Sequence, residues 1–545
     1  MSFKIQVNGK ELTFEKKVKL SDLTNGNTDY IAAKVNNRVR ELDYEVYYDA
    51  TVDFLTLKDS CAIGQYRRSL LFIFLYAAHL VCPDLRMKLS YSVSRSLFAR
   101  DANGTPIPYD VCNKIEKKMQ EIVSANYPFE KIIVTNEEAE KVYRDFNLID
   151  KIEILKYRPE KTVHFYVCNG YKNYLFGHMV PSTGYIKKFK LRNYYPGILI
   201  SYPRAESNGE IPLFTEEPNF AKSLTESGQW AKKVNLGLVS DINNMIKTPT
   251  AANLINICED KHYRMLVHLG DIIEKQIEDT RLICIAGPSS SGKTTFANRL
   301  CDELKSRGFN PIRISLDDYY FSKDKMPVDE NGQLDFEHID CLDIKLFNEN
   351  MIDLLNGKEV NLPKFDFKVN KREVGRTLKI SSKDPIIVEG IHALNEKMTN
   401  LIPKNNKFKI FISPQVQLNL DYENPISITD VRLLRRLVRD FKYREAPAEE
   451  TFSMWPSVRK GEFRWIYKTQ EDADYVFDSF LPYEISVLKK YAIPLLKSVD
   501  KDSIYYPDVE RLTRLIKYFK NIDDTRCIPC NSLICEFIGG SSYEE

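Results

Sequence analysis

A phosphate-binding loop is the most specific chemical motif in the chain. Residues 287–294 read Gly287-Pro-Ser-Ser-Ser-Gly292-Lys293-Thr294 and match the pattern G-x-x-x-x-G-K-[ST] in full. An apolar segment precedes the motif and a helical pattern follows it. Glycines let the backbone wrap around phosphate, and the N-terminus of the following helix supplies N–H donors and a positive dipole end. We therefore predict that Lys293 reaches the β- and γ-phosphates of a nucleotide and that the Thr294 hydroxyl ligates Mg²⁺. The predicted nucleotide-binding residues are Gly287, Pro288, Ser289, Ser290, Ser291, Gly292, Lys293, Thr294 and Thr295.

Two acidic residues follow predicted strands and are candidates for catalysis and metal binding. Asp317 comes after the predicted strand 311–315, where a carboxylate is placed to accept a proton from an acceptor hydroxyl. The alternative for Asp317 is a turn or helix N-cap aspartate. Glu389 ends the apolar segment 385–389 and is predicted, with Thr294, to lie on the Mg²⁺ side of the site. The alternative for Glu389 is an ordinary surface glutamate after a strand.

A row of arginines forms the next candidate group. Arg432, Arg435, Arg436 and Arg439 follow the spacing i, i+3, i+4 and i+7, which places them on one face of a helix. Four guanidinium groups on one stripe repel each other unless an anion lies there, and polyphosphate is the anion that they bind best. We predict that they stabilise a transferring phosphoryl group. The alternative is a solvated face paired with local acids such as Asp430 and Asp440.

The elements around these motifs alternate between strand and helix from residue 279 onward. Predicted strands at 282–286, 311–315, 386–389 and 408–413 and a helix at 294–306 favour a parallel sheet with helices on both faces. The earlier part of the chain has other patterns. A hairpin is predicted around Asn8-Gly9, a strand at 43–57, helices at 69–81, 113–125 and within 216–278, and strands at 162–167 and 198–202.

Composition bounds the class of protein. The 545 residues predict about three or four domains. A net charge of +2, with 78 basic and 76 acidic residues, gives no global argument for nucleic acid or an anionic membrane. Hydrophobic residues at 43 % exclude a largely disordered chain, and no apolar run approaches a membrane span of ~20 residues. The odd count of 11 cysteines and the absence of an export signal predict a cytoplasmic protein with reduced thiols.

Together the motifs resemble the uridine kinase and phosphoribulokinase group of P-loop kinases. The matching segments, in chain order, are 287–295, 315–320, 335–338, 364–367, 388–391 and 432–440. The resemblance implies ATP and Mg²⁺ as cofactors and a nucleoside 5′-hydroxyl as the acceptor. It further implies that Asp317 is the base, that the arginines lie on a closing lid, and that Tyr320, Phe336 and Glu337 line the nucleoside pocket.

The sequence departs from this family at two positions of the acceptor pocket. Phe365 stands where uridine kinases have a tyrosine, and Asn370 stands where they have a histidine that contacts the base. Loss of these two hydrogen-bonding groups leaves phosphoryl transfer intact and leaves the identity of the acceptor open. We place Phe365, Asn370 and Arg372 with the predicted substrate-binding residues.

The N-terminal half has a separate resemblance. Residues 1–60 look like a TGS domain, a small β-grasp module, and residues 61–205 look like the second domain of threonyl-tRNA synthetase, most clearly at 176–185. The fold class that follows is multi-domain α/β, with a P-loop NTPase sheet and flanking helices at the C-terminus and the β-grasp module and an α+β synthetase-like domain at the N-terminus. The predicted divisions are 1–60, 61–215, a helical connector at 216–278, the kinase domain at 279–500, and a C-terminal helix and tail at 501–545.

The function that these observations favour is an ATP- and Mg²⁺-dependent kinase of a nucleoside, most similar to uridine and cytidine kinases. One alternative is a phosphoribulokinase-like kinase for another small alcohol or a sugar phosphate. A second alternative is an RNA- or tRNA-associated regulatory protein that contacts nucleic acid through residues 1–215 and uses the nucleotide as a switch. No membrane partner is expected, and the sequence leaves the oligomeric state open.

Overall fold

The structure is a computed structural model of the chain. It describes residues 2–247, 251–328, 332, 334–366, 369, 371–381 and 384–543. Within these ranges no helix is both long and apolar enough to cross a membrane.

A small mixed sheet occupies the N-terminal end. Its first two strands form the predicted hairpin, because Asn8 and Gly9 both adopt positive φ, at 49° and 78°, as a tight two-residue turn requires. The strands follow the order β2-β1-β7-β4-β5, in which β1 and β7 run parallel. The predicted strand at 43–57 is divided between β6 and β7. The strands are β1 (Phe3–Val7), β2 (Lys10–Phe14), β3 (Val18–Lys19), β4 (Ala32–Val35), β5 (Arg38–Arg40), β6 (Glu45–Val46) and β7 (Ala50–Leu55).

A long apolar helix and antiparallel sheets follow. The helix α1 is buried on nearly all sides because its central residues, Leu70 to Ala78, are apolar all round. It begins nine residues before the predicted start at 69. The strands form the sheets β13-β14-β9-β8 and β10-β11-β12. The elements are α1 (Ser60–Val81), β8 (Met87–Val93), β9 (Ser96–Asp101), α2 (Tyr109–Ala125), β10 (Glu130–Thr135), α3 (Asn136–Asp145), α4 (Ile149–Leu155), β11 (Thr162–Cys168), β12 (Tyr171–Asn173), β13 (Lys190–Tyr194) and β14 (Gly197–Ser201).

The helices predicted between 216 and 278 are present. They are α5 (Pro218–Lys233), α6 (Val239–Ile246) and α7 (Ala252–Glu274). Leu266, Leu269 and Ile273 of α7 share a buried apolar cluster with the strand and the helix that flank the phosphate-binding loop. Helix α7 therefore packs directly on the C-terminal sheet.

The C-terminal part contains the predicted parallel sheet, in the order β16-β19-β15-β20-β21. Its central strand β15 is buried at every residue, which explains its continuous apolar run. Helices lie against the sheet, and the hairpin β17–β18 stands apart from it. The elements are β15 (Leu282–Ala286), α8 (Lys293–Ser306), β16 (Ile312–Ser315), α9 (Ile344–Leu355), β17 (Val360–Asp366), β18 (Lys371–Leu378), β19 (Ile386–Glu389), β20 (Lys407–Ser413), α10 (Ile428–Arg444), α11 (Ala448–Gly461), β21 (Tyr475–Asp478), α12 (Glu484–Lys497), α13 (Tyr506–Ile516) and α14 (Cys535–Ile538).

A buried ionic cluster joins the N-terminal half to the loop between β20 and α10. Glu423 of that loop accepts from Arg86 at 2.5 Å and lies 2.9 Å from the ammonium of Lys151. Arg86 also pairs with Asp150 at 3.1 Å. Because Lys151 and Glu423 are almost completely shielded from water, their attraction is little screened. The two halves of the molecule are therefore held together by charge pairs as well as by apolar packing.

Candidate active site

The phosphate-binding loop connects β15 to α8 at the carboxyl end of the sheet. Gly287 lies so close to β20 that a Cβ there would be 2.0 Å from the Ile412 carbonyl oxygen, so only glycine fits. The φ angles of Ser290 and Gly292 are positive, at 58° and 90°, which curls the loop before α8 begins. The strand, loop and helix that the sequence predicts are confirmed here.

Lys293 lies over the loop at the first turn of α8. Its ammonium donates to the carbonyl oxygens of Gly287 at 3.0 Å and Pro288 at 3.2 Å. Burial lowers the pKa of Lys293, although the nearby carboxylates of Glu389 and Asp317 oppose that shift. The lysine is thus held between the loop and two acidic side chains, where it can reach a phosphate in the loop.

Asp317 and Glu389 follow neighbouring parallel strands. Ser315, at the end of β16, is directly opposite Glu389, at the end of β19, and Asp317 comes two residues later. Burial raises the pKa of Glu389 to about 7, and the charge on Asp317 adds to that shift. Burial also raises the pKa of Asp317, and Lys293 opposes this effect. Two desolvated carboxyl groups beside a lysine form an acidic edge that a cation would stabilise.

The predicted acceptor residues lie partly in the segments after β16 and partly in the β17–β18 hairpin. The Tyr320 hydroxyl donates to the Phe336 carbonyl at 3.1 Å, and the Tyr320 ring lies 5.8 Å from that of Phe365. Arg372 pairs with Asp343 at 3.0 Å. The structure therefore brings Tyr320, Phe336 and Phe365 together. Asn370, and Phe367 of the matching segment 364–367, lie outside the described residues.

Glu337 is an acidic residue on this side of the site. Its Oε2 atom is buried and has no hydrogen-bond partner among the described residues. Burial raises the pKa of Glu337 to about 7, and the charge of Glu462 contributes to the shift. The Glu337 carbonyl oxygen lies 3.0 Å from Nε2 of His392. An unpaired carboxyl oxygen of this kind can accept a hydrogen bond from a ligand hydroxyl.

Two of the four arginines in the stripe on α10 are buried and paired with carboxylates from other parts of the chain. Arg432 and Arg435 are buried and pair with Glu462 and Glu484, the second pair at 2.6 Å. Carboxylates distant in sequence neutralise these two guanidinium groups, so Arg432 and Arg435 do not need a polyphosphate to balance their charge. Solvation of the face, the alternative, is excluded for them by the same burial.

Hydrogen bonds connect these arginines to the phosphate-binding loop. Arg432 Nε donates to the Ser289 carbonyl at 2.9 Å, and Arg435 Nη1 donates to the Ser290 carbonyl at 3.3 Å. Arg436 donates to the Ser289 hydroxyl at 3.0 Å. Helix α10 therefore holds the loop in position through hydrogen bonds to Ser289 and Ser290.

Arg436 and Arg439 pair locally. Both guanidinium groups lie 3.0 Å from carboxylate oxygens of Asp440. Arg439 keeps 18 % of its side chain exposed, more than Arg432 or Arg435. Arg436 and Arg439 therefore differ from Arg432 and Arg435, because their counter-charge comes from the same helix.

Residues that the motifs did not identify complete the site. Glu462 and Glu484 hold the arginines, and Glu536 of α14 accepts from the Thr295 backbone N–H at 3.2 Å. Each lies between 30 and 241 positions along the chain from its partner. No local pattern marks such residues, since only the folded chain brings them together.

Comparisons with known proteins identify relatives of the C-terminal part. The model of the Phosphoribulokinase / Uridine kinase family matches residues 282–486. A uridine kinase from Macrococcus caseolyticus is 30 % identical over 198 residues, which are 36 % of this chain and 87 % of the relative. A uridine kinase from Staphylococcus aureus is 32 % identical over 199 residues, covering 36 % and 86 % respectively. A solved structure described as a possible uridine kinase from Bacillus stearothermophilus is 18 % identical, with a TM-score of 0.28, over 40 % of this chain and 99 % of that one.

Proposed function

Because the chain belongs to the phosphoribulokinase and uridine kinase family and is a P-loop phosphotransferase acting on an alcohol, we propose that it transfers the γ-phosphoryl group of ATP to the 5′-hydroxyl of a nucleoside. One observation carries the proposal. Lys293 of the phosphate-binding loop lies beside Asp317 and Glu389, at the ends of two adjacent strands. Phosphoryl transfer to a hydroxyl requires a cationic side chain that binds the phosphates, a carboxylate that accepts the hydroxyl proton and a carboxylate that binds the metal.

The loop and Lys293 hold the phosphates of ATP. Lys293 is the first residue of α8, so we expect its ammonium and the free backbone N–H groups of the helix N-terminus to act together on the β- and γ-phosphates. Arg436 and Arg439 approach from α10 and stabilise charge on the transferring group. Their contribution depends on Asp440, which holds both in place.

Thr294 and Glu389 are the residues that fit Mg²⁺. Magnesium in such sites takes few protein ligands and completes its shell with water and phosphate oxygens, so a threonine hydroxyl and one carboxylate suffice. The raised pKa values of the Asp317 and Glu389 carboxyls fit a nearby cation, which would relieve their mutual repulsion. The ion supplies neutralisation of the phosphate charge when it is bound.

Asp317 accepts the proton of the acceptor hydroxyl. As the proton moves to the carboxylate, the hydroxyl oxygen forms a bond to the γ-phosphorus, and the bond from that phosphorus to the β–γ bridging oxygen breaks to release ADP. Glu337 accepts from a second hydroxyl of the acceptor through its unpaired Oε2. The rings of Tyr320 and Phe336 supply an apolar wall for the rest of the acceptor.

The test is ATP consumption and product analysis with a panel of nucleosides, other small alcohols and sugar phosphates. We expect phosphorylation of a nucleoside, and we expect Lys293→Ala to abolish turnover while the protein stays folded. Asp317→Asn is expected to lower kcat by roughly 10²–10⁴. The adjacent Asp318→Asn is the matched control and is expected to retain most of the activity, because Asp318 accepts from the Phe365 backbone N–H.

The outcomes separate the alternatives. If sugar phosphates are turned over and nucleosides are not, the nucleoside proposal is wrong and the phosphoribulokinase-like alternative is supported. ATP binding with no acceptor turned over would favour the nucleotide-switch alternative, and salt-dependent tRNA binding by the full chain would then support it. Undiminished turnover by Lys293→Ala would show that the loop and Lys293 do not bind the phosphates of ATP as proposed.

A further inference from the structure

The C-terminal segment, residues 528–543, lies against the phosphate-binding loop. Leu533 is buried in the same apolar cluster as Phe296 and Leu300 of α8. Its Cδ2 atom would lie 3.3 Å from a Cβ on Gly292, the residue before the first turn of the helix. The segment is therefore in direct packing contact with the part of the loop that receives phosphate.

Hydrogen bonds hold the segment along its length. Ser532 donates to Glu259 of α7 at 2.6 Å, and Lys442 of α10 donates to the Ile538 carbonyl at 2.6 Å. Near the end of the chain, the Tyr543 hydroxyl donates to Asp302 of α8 at 2.8 Å. These contacts reach α7, α10 and α8, and they hold α14 in place between these helices.

Glu536 of α14 occupies one of the donors of the phosphate site. Thr295 is the third residue of α8, and its N–H is one of those that a helix leaves without an internal partner. Its N–H donates to Glu536 Oε2 at 3.2 Å. Gly292, which precedes the helix, has no side chain to cap this donor. A carboxylate from 241 residues away therefore occupies an N–H donor of a helix N-terminus, which is the kind of donor that binds phosphate.

We propose that Glu536 competes with the phosphates of the nucleotide for the N-terminus of α8, so that nucleotide binding displaces its carboxylate and loosens the C-terminal segment. This inference rests on the proposed function, because it concerns regulation of the same loop. The physical reason is charge: two anions cannot share one N–H donor without repulsion. The C-terminal segment thereby sets the affinity for the nucleotide.

The competing interpretation is that Glu536 only caps the helix. A cap stabilises α8 and has no effect on the nucleotide if the phosphates use other donors. Glu536→Gln distinguishes the two interpretations, because glutamine keeps the length and an acceptor oxygen and removes only the charge. Asp523→Asn is the matched control, since Asp523 loses the same charge from an exposed position preceding the same segment.

The first experiment measures equilibrium binding of Mg-ATP to the full-length protein by calorimetry. The charge of Glu536 at a helix N-terminus corresponds to an effect of about 3- to 30-fold, so we expect Glu536→Gln to tighten binding by that factor. Asp523→Asn is expected to bind like the unmodified chain. Unchanged or weaker binding by Glu536→Gln would overturn the proposal and leave Glu536 as a cap, or as a group that assists the nucleotide.

A second experiment measures amide hydrogen exchange with and without Mg-ATP. Because linkage is reciprocal, a nucleotide that displaces Glu536 must speed exchange in residues 533–538. Slower exchange there would contradict the proposal.

Lys293→Ala separates this proposal from the proposed function. If Lys293→Ala leaves Mg-ATP binding unchanged, the assignment of the loop fails and the competition fails with it. If Lys293→Ala abolishes binding while Glu536→Gln has no effect, only the competition fails.

Discussion

Carboxyl groups withdrawn from water distinguish this site at the scale of single residues. Asp317, Glu337 and Glu389 all have raised pKa values, and burial is the first cause for each. A raised pKa means that the folded protein binds protons more tightly than the unfolded chain. These buried carboxyl groups therefore lower the stability of the folded protein at neutral pH. Such a cost is expected in a binding site, where a ligand supplies the hydrogen bonds and counter-charges that the carboxyl groups lack.

Glu337→Gln tests this relation through the pH dependence of stability. The pKa of Glu337 rises from 4.5 to about 7 on folding, so the free energy of unfolding falls as pH rises through that window. We expect the variant to be more stable than the original chain by roughly 2–3 kcal/mol at pH 8 and little different at pH 4.5. Urea denaturation at both pH values measures the difference.

The control is Glu349→Gln, which removes a carboxyl from the exposed face of α9. It is expected to change the free energy of unfolding little at either pH. An equal difference for Glu337→Gln at pH 4.5 and at pH 8 would show that the carboxyl does not titrate in this window.

At the scale of elements, α10 acts as a support for the phosphate-binding loop. Arg432 and Arg435 join carboxylates on one side to loop carbonyl oxygens on the other. The arrangement holds each guanidinium in one orientation, and through it the loop. Arg432 and Arg435 are therefore buried residues that position the loop, whereas Arg439 is more exposed. Arg436 is intermediate in exposure.

Removal of one partner from a buried ion pair should destabilise the whole element. Glu484→Gln leaves the Arg435 guanidinium buried without its counter-charge, so we expect the free energy of unfolding to fall by about 3–5 kcal/mol. Denaturant unfolding measures this loss. Glu140→Gln, which removes the same charge from an exposed pair with Arg144, is the control and is expected to change stability by less than about 1 kcal/mol. Equal losses in the two variants would mean that burial does not strengthen the Arg435–Glu484 pair.

At the scale of the whole molecule, the two halves share a buried charge cluster. Glu423 of the kinase loop contacts Arg86 and Lys151 of the N-terminal half, and these cations lower its pKa to about 2, against the effect of burial. The loop that Glu423 belongs to leads directly into α10. The N-terminal half is therefore attached to the same segment that supports the nucleotide site. The likeness of residues 1–215 to TGS and synthetase domains, and the predicted domain boundaries, stay predictions.

Glu423→Gln tests how much this charge cluster contributes to stability. The substitution leaves Lys151 and Arg86 with less counter-charge, and we expect a loss of about 3–5 kcal/mol at pH 7. Because the depressed pKa of Glu423 makes its contribution present above pH 4.5 and lost as pH falls toward 2, the gap between the two proteins should narrow in acid. Calorimetric unfolding at pH 7 and pH 3 measures both effects. A gap of the same size at both pH values would contradict the assigned role of this carboxylate.

The sequence by itself determined the local chemistry of this protein. The glycines and Lys293 of the loop, the buried strand before it and the helix after it follow from residue types at fixed spacing, because each depends on neighbours within a few positions. The hairpin at Asn8-Gly9 and the alternation that gives the parallel sheet are local in the same sense. The kinase family follows from these segments.

Only the tertiary structure decided which charges meet. Glu484 lies 49 positions from Arg435 and Glu536 lies 241 from Thr295, so no spacing rule connects either pair. The sequence pattern did not reveal the counter-charges of Arg432 and Arg435, because these come from Glu462 and Glu484 in other elements. Packing of α12 against α10 and of α14 against the loop brought Glu484 and Glu536 in, and that packing depends on the shape of the whole core.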